Sequence, residues 1–81
     1  MTIPLSRVPS MKARKMRRLL RSLGYRQVRR TGSHVQLECP GRGGITFAFH
    51  DKATVSSRAV RQILLDQAGL TEGEMKEVLG L

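Results

Sequence analysis

Apolar residues keep a helical period up to Gly24 and a period of two beyond it, and this switch restricts the chain to a mixed helix-and-sheet architecture. Met16, Leu19, Leu20 and Leu23 stand at i, i+3, i+4 and i+7, on one face of a helix. Pro9-Ser10 is suited to open that helix, with Ser10 as N-cap, and Gly24 to stop it. The opposite face carries Lys12, Arg14, Lys15, Arg17, Arg18 and Arg21. Such a helix buries its aliphatic stripe and presents a dense row of cations.

Past Gly24, Tyr25 to Arg30 reads as a short basic strand and Thr31-Gly32-Ser33 as a turn. In His34 to Cys39 the apolar Val35, Leu37 and Cys39 alternate with His34, Gln36 and Glu38. Pro40 to Gly44 supplies a loop, and Ile45, Phe47 and Phe49 then alternate again up to His50. This pattern predicts an antiparallel sheet with one buried face, and it turns both histidines away from that face. Ser56 or Ser57 caps a second helix carrying Val60, Ile63, Leu64 and Ala68, which ends at Ala68-Gly69. Thr71-Glu72-Gly73-Glu74 has the spacing of a capping box, so a short last helix follows, with Met75, Val78 and Leu79 inward. The expected class is α+β, in the order α-β-β-β-α with an added C-terminal helix. The sheet is a three-stranded antiparallel meander with the main helices on one face. Residues 1–9 are expected to form an N-terminal arm, extended or disordered over Met1 to Val8. Residues 10–81 form a single domain.

Charge narrows the function classes. The formal net charge of the 81 residues is +9. It is unevenly spread, with +12 in residues 1–65 and −3 in residues 66–81. A basic body suggests a polyanionic partner such as nucleic acid, bound on one directed face. The single cysteine, Cys39, excludes an internal disulfide framework and is expected to act as a small inward-facing hydrophobe. No apolar run reaches the roughly 20 residues that span a bilayer, and no signal-peptide core opens the chain. A cytoplasmic location without membrane attachment is the expectation.

Candidate chemistry centres on His34, which follows Gly32-Ser33 at the head of a strand. An imidazole titrates near neutral pH and is the usual side chain for proton transfer. No grouping of Asp, Glu, His or Cys resembles a metal cage, so neither a metal nor another cofactor is expected. On these residues alone a ribonuclease, a non-catalytic RNA-binding module, a DNA-binding regulator and a ribosome-associated protein all remain open.

The segment Leu19 to Leu37, LLRSLGYRQVRRTGSHVQL, resembles the signature of HicA-type toxins: a helix ending in Gly-aromatic, a basic strand, then Gly-Ser-His. Arg61 to Thr71, RQILLDQAGLT, is similar to that family's second helix, Pro9-Ser10 to its helix start, and Phe47-Ala48-Phe49-His50 to its third strand. The likeness runs over roughly residues 9–79 in the same order. Val35 stands where many relatives carry a second histidine, and Ala48-Phe49 where many have a proline. The resemblance implies a fold like that of double-stranded-RNA-binding domains and an mRNA-cleaving, metal-independent endoribonuclease with His34 as acid/base. It also implies a monomeric toxin held inactive by a HicB-type antitoxin. That antitoxin is expected to be acidic, to answer the net positive charge, and to cover His34 and the basic helix. On this reading Lys12, Lys15, Arg29 and Arg30 contact the phosphates of single-stranded RNA. Gly32 and Ser33 shape the turn, and the Ser33 hydroxyl is placed to bond a phosphate oxygen. The alternative, a non-catalytic RNA-binding module, needs none of this from His34.

Overall fold

The first helix, α1 (Ala13–Ser22), does not begin at the serine expected to cap it. Its N-cap is Lys12, in extended conformation and without a side-chain cap bond. In this computed structural model, which describes residues 3–81, the two residues before the helix are recruited elsewhere. Met11–Lys12 forms strand β1 and pairs antiparallel with Thr54–Val55, with Met11 opposite Val55 and Lys12 opposite Thr54. Ladder hydrogen bonds and burial of Met11 outweigh the local preference of Ser10 for a helix cap. Upstream, Leu5–Arg7 makes one 3-10 turn, and Val8 is buried in the core. Leu5–Arg7 itself has no buried residue, and Pro4 and Val8 on either side of it are extended. Met1 and Thr2, the start of the expected arm, lie outside the described residues.

Three strands make the main sheet, in the order β2 (Arg26–Thr31), β3 (His34–Glu38), β4 (Ile45–Phe47), antiparallel throughout. Thr54–Val55, the partner of β1, is β5. The third strand is shorter than its alternation suggests. It stops at Phe47, and Phe49 turns back onto Phe47 with ring centroids 5.3 Å apart.

Val35, Leu37, Ile45 and Phe47 supply the buried face of the sheet. Met16 and Leu20 of α1 meet them together with Val60 of α2 (Ser57–Gln62) and Ile63 and Leu64 just beyond. Leu19 and Leu23 pack against this cluster at its margin. The helices therefore cover one face, and the α+β order read from the sequence stands. The arrangement is consistent with a double-stranded-RNA-binding-like fold.

Ser56 caps α2 by accepting from the Ala59 N–H at 3.2 Å. After Gln62 the helix widens into a π-helical turn, Ile63–Gln67. Single π turns often re-aim a side chain. Here Gln67 accepts the Thr46 N–H at 3.2 Å, closing part of the outer edge of β4. The last helix, α3 (Glu72–Leu79), opens with the expected capping box between Thr71 and Glu74 and buries Met75.

Strand β2 departs from the simple half-buried pattern, because all six of its residues are exposed. It lies at the sheet edge, outside the helical cover. Its register slips between Gln27 and Arg29, which leaves Val28 as a bulge without a partner in β3. Val28 is 54% exposed, and no other large hydrophobic among the described residues is so open.

Candidate nucleic-acid interface

Two residues join β2 to β3. Thr31 pairs with His34, and Gly32 and Ser33 form the connection. Gly32 has φ 60° while Ser33 stays at negative φ. A positive φ at the first central position only is the II′ pattern, whose twist matches that of the flanking strands. The turn therefore needs glycine first and accepts serine second, and it delivers His34 as the opening residue of β3. His34 is exposed. Ser33 is half-buried beside it.

Cross-strand partners share a face of the sheet. Thr31 is opposite His34, Arg29 opposite Gln36, and Gln36 opposite Thr46. These five lie on the open face, away from the helices. Thr46 Oγ1 and Gln36 Oε1 are 3.0 Å apart, which holds Gln36 down against the strands. Arg29 is the diagonal neighbour of His34 on this face. Arg30 is opposite Val35 and takes the other face, where its Nε donates to the Gly32 carbonyl at 3.2 Å. The structure thus separates the two arginines that the sequence pairs. Adjacent strand residues face opposite ways in any register. The bulge at Val28 decides which of the two joins His34, since in register continued from Gln27 Arg29 would oppose Val35 and sit on the helical side.

The other candidate cations sit at the start of α1. Lys12, Arg14, Lys15 and Arg18 line a groove of about 460 Å³ together with Asp51 and Lys52. Lys12 Nζ donates to the Lys52 carbonyl at 3.2 Å and lies 3.5 Å from Thr54 Oγ1. The loop is fixed to the helix by the Ala13 N–H on Ala53 O at 2.9 Å and the Arg14 N–H on Asp51 O at 3.4 Å. Asp51 is ion-paired and hydrogen-bonded to Arg17.

This groove and His34 lie at the same end of the sheet. Val35 pairs with Phe47, so the chain leaving β4 passes the head of β3. It then reaches Asp51 and Ala53, which hold the N-terminal turn of α1. His50, expected to close the third strand, lies beyond β4 in this loop. It is exposed, and its carbonyl accepts the Ala53 N–H at 2.9 Å.

Sequence reasoning selected Lys12 and Lys15 but passed over Arg14, Arg18 and Lys52 as site residues. Helical spacing was a usable signal for Arg14 and Arg18. No local pattern brings Lys52 to them, since that depends on the pairing of β1 with β5. Among the described residues no group of three or more His, Cys, Asp or Glu is placed to hold a metal ion. Also among the described residues, no helix is long and apolar enough to cross a membrane.

Cys39 is half-buried at the far end of β3, its Sγ 3.6 Å from the Leu23 carbonyl. Nearby, Tyr25 is buried and donates its hydroxyl to the Gly43 carbonyl at 2.6 Å. Burial pushes the Tyr25 phenol above its ordinary value; adjacent Cys39 adds to this and Arg42 opposes it.

A family profile described as the HicA toxin of bacterial toxin-antitoxin systems matches residues 13–70. Comparison with curated proteins and with solved structures gave no match. The matched span begins with α1, takes in the whole β2–β3–β4 sheet and its His34 turn, and closes just after the π-helical turn. The chain therefore belongs to the HicA toxin family of bacterial toxin–antitoxin systems.

Proposed function

We propose that the protein is a metal-independent endoribonuclease that cleaves mRNA with His34 as its acid/base group. The observation that carries this reading is the placement of His34. It is exposed on the open sheet face, held at a rigid two-residue turn, with Arg29 as diagonal neighbour and the basic groove at the same end.

RNA brings its own nucleophile, the 2′-hydroxyl beside each phosphate. The 2′-oxygen loses its proton and attacks phosphorus, the bond to the 5′-oxygen breaks, and that oxygen gains a proton. A cyclic phosphate and a free 5′-hydroxyl result. His34 takes the 2′ proton or supplies the one that the leaving oxygen needs. Arg29 stabilises charge building on the non-bridging oxygens. Ser33 offers a hydroxyl to the same phosphate, and Gly32 keeps the turn tight. Arg30 braces the turn from the other face, while Lys12 and Lys15 bind backbone phosphates.

Membership of the family supplies a toxin–antitoxin partner. We take that partner to be a HicB-type antitoxin with an acidic surface, seated over His34 and the cations of α1. Electrostatic complementarity to a chain of net charge +9 favours this match.

The deciding experiment incubates purified protein with single-stranded RNA and a matched DNA in EDTA, comparing wild type with His34→Ala. Cleavage of RNA alone, lost in the variant while its circular dichroism is unchanged, supports the reading. RNA binding without cleavage, equal in both proteins, would replace it with a non-catalytic RNA-binding module.

A further inference from the structure

We propose that the groove between the first two turns of α1 and the loop after β4 is a second phosphate subsite, gripping the RNA backbone away from the scissile bond through Arg14, Arg18 and Lys52. The proposal rests on the RNA-cleaving reading above and extends it to substrate length.

Five cations, Lys12, Arg14, Lys15, Arg18 and Lys52, line this groove with one carboxylate, Asp51. Arg17, outside the lining, already pairs with that carboxylate. Among the described residues none of the five cations is ion-paired. Crowded like charge opposes folding through self-repulsion, so an anionic ligand would relieve it.

The concentration is also held in shape. The Ala13 and Arg14 amides bind Ala53 O and Asp51 O, Lys12 Nζ binds Lys52 O, and β1 pairs with β5. Because carbonyls already occupy those two amides, the groove acts through side chains. Guanidinium groups suit the paired non-bridging oxygens of a phosphodiester, and an ammonium group adds a mobile point charge. Lys12 to Arg18 covers about 9 Å of helix axis, at about 1.5 Å per residue. Side chains over that length reach one or two phosphates of a strand whose reacting phosphate lies at His34.

The consequence is a length requirement. A dinucleotide occupies the His34 turn alone, whereas a longer strand also fills the groove and binds more tightly. The groove lowers KM for long RNA without touching the chemical step.

The test measures binding of a labelled, fully 2′-O-methylated oligoribonucleotide, which lacks the nucleophile, across a range of salt. Arg18→Glu/Lys52→Glu is compared with wild type and with Arg58→Glu/Lys76→Glu, a charge-matched pair outside the groove. Arg18→Gln/Lys52→Gln, a milder pair, is run alongside. We expect the groove pairs to weaken binding on the order of tenfold or more. The slope of log affinity against log salt should fall by about 0.7 for each phosphate that the variant no longer neutralises. Equal weakening by the outside pair would reduce the groove to general surface charge, and unchanged binding by the groove pairs would remove it altogether. In a parallel assay, the groove variants should raise KM for long RNA and leave cleavage of a dinucleotide unaltered. Should the protein cleave nothing, the binding result still decides the subsite, so the two readings fail separately.

Discussion

Arg30 Nε donates to the carbonyl oxygen of Gly32 at 3.2 Å, across the turn that hands the chain to His34. The bond draws one guanidinium back over its own hairpin, while Arg29, one residue earlier, faces outward beside His34. Adjacent arginines therefore have different work. Arg29→Ala is expected to lower kcat/KM for RNA on the order of a hundredfold, the usual scale for losing a group that stabilises transition-state charge. Arg30→Ala should cost under about 1 kcal/mol of stability, as for an exposed hydrogen bond, and change kcat/KM far less. Steady-state kinetics with a urea titration on each variant separates the two, and equal kinetic losses would refute the division.

Leu20 is fully buried where α1 meets the sheet. Leu20→Ala should remove about 2–5 kcal/mol, the range for a truncated core leucine. A domain of this length holds about 4–12 kcal/mol at about 0.05–0.15 kcal/mol per residue. The variant is expected to be marginal or unfolded in thermal denaturation, and to recover cooperative melting when its antitoxin is added, by mass action.

The capping box of α3 carries a pH signature. The Thr71 N–H bonds the Glu74 carboxylate at 3.0 Å, and this holds its pKa below the ordinary 4.5, with the Thr71 hydroxyl and Arg42 assisting and some desolvation opposing. A depressed carboxylate gives stability that is present above its unfolded value and lost as pH falls through the folded one. Urea midpoints should therefore decline on the acid side of 4.5. Glu74→Gln keeps a bonding partner for the cap but does not titrate, so its midpoints should decline less over that window.

Tyr25 behaves in the opposite sense. Its phenol sits above the ordinary 10.0 because burial disfavours the phenolate. Stability from the neutral form is complete below that value and lost as pH rises through the folded one. It is the sole tyrosine and the chain has no tryptophan, so phenolate absorbance reports it alone. The midpoint of ionisation should lie above 10.0 in the native protein and fall back on denaturation. A native midpoint at or below that value would contradict the burial.

Features encoded by neighbours in sequence were legible. Gly32-Ser33 specifies the hairpin through the φ its first residue must adopt, so His34 at a strand head was readable from three residues. Thr71 and Glu74, three apart, fixed the last helix in the same way. Val35, Leu37, Ile45 and Phe47 revealed their buried face by alternation. What escaped depended on distant contacts. Ser10 is a sound cap judged locally, but the pairing of Met11 with Val55 takes the backbone it would need. The run to His50 looks like strand until Phe49 finds Phe47. Arg29 rather than Arg30 shares the face of His34 because Val28 is skipped in the register, and a strand whose one apolar residue is itself the bulge has no alternation to mark that slip.

The ribbon of β1 and β5 also has a consequence for the order in which the chain matures. Lys12 and Lys52, which meet across it, are separated by 40 residues. On a growing polypeptide the amino end must wait for the segment beyond the sheet to emerge before the helix start is anchored. The hairpin bearing His34 closes locally and much earlier. A nascent chain would thus display its histidine before the cations of the groove are gathered, and the groove would take shape only once Thr54–Val55 has emerged to pair with β1.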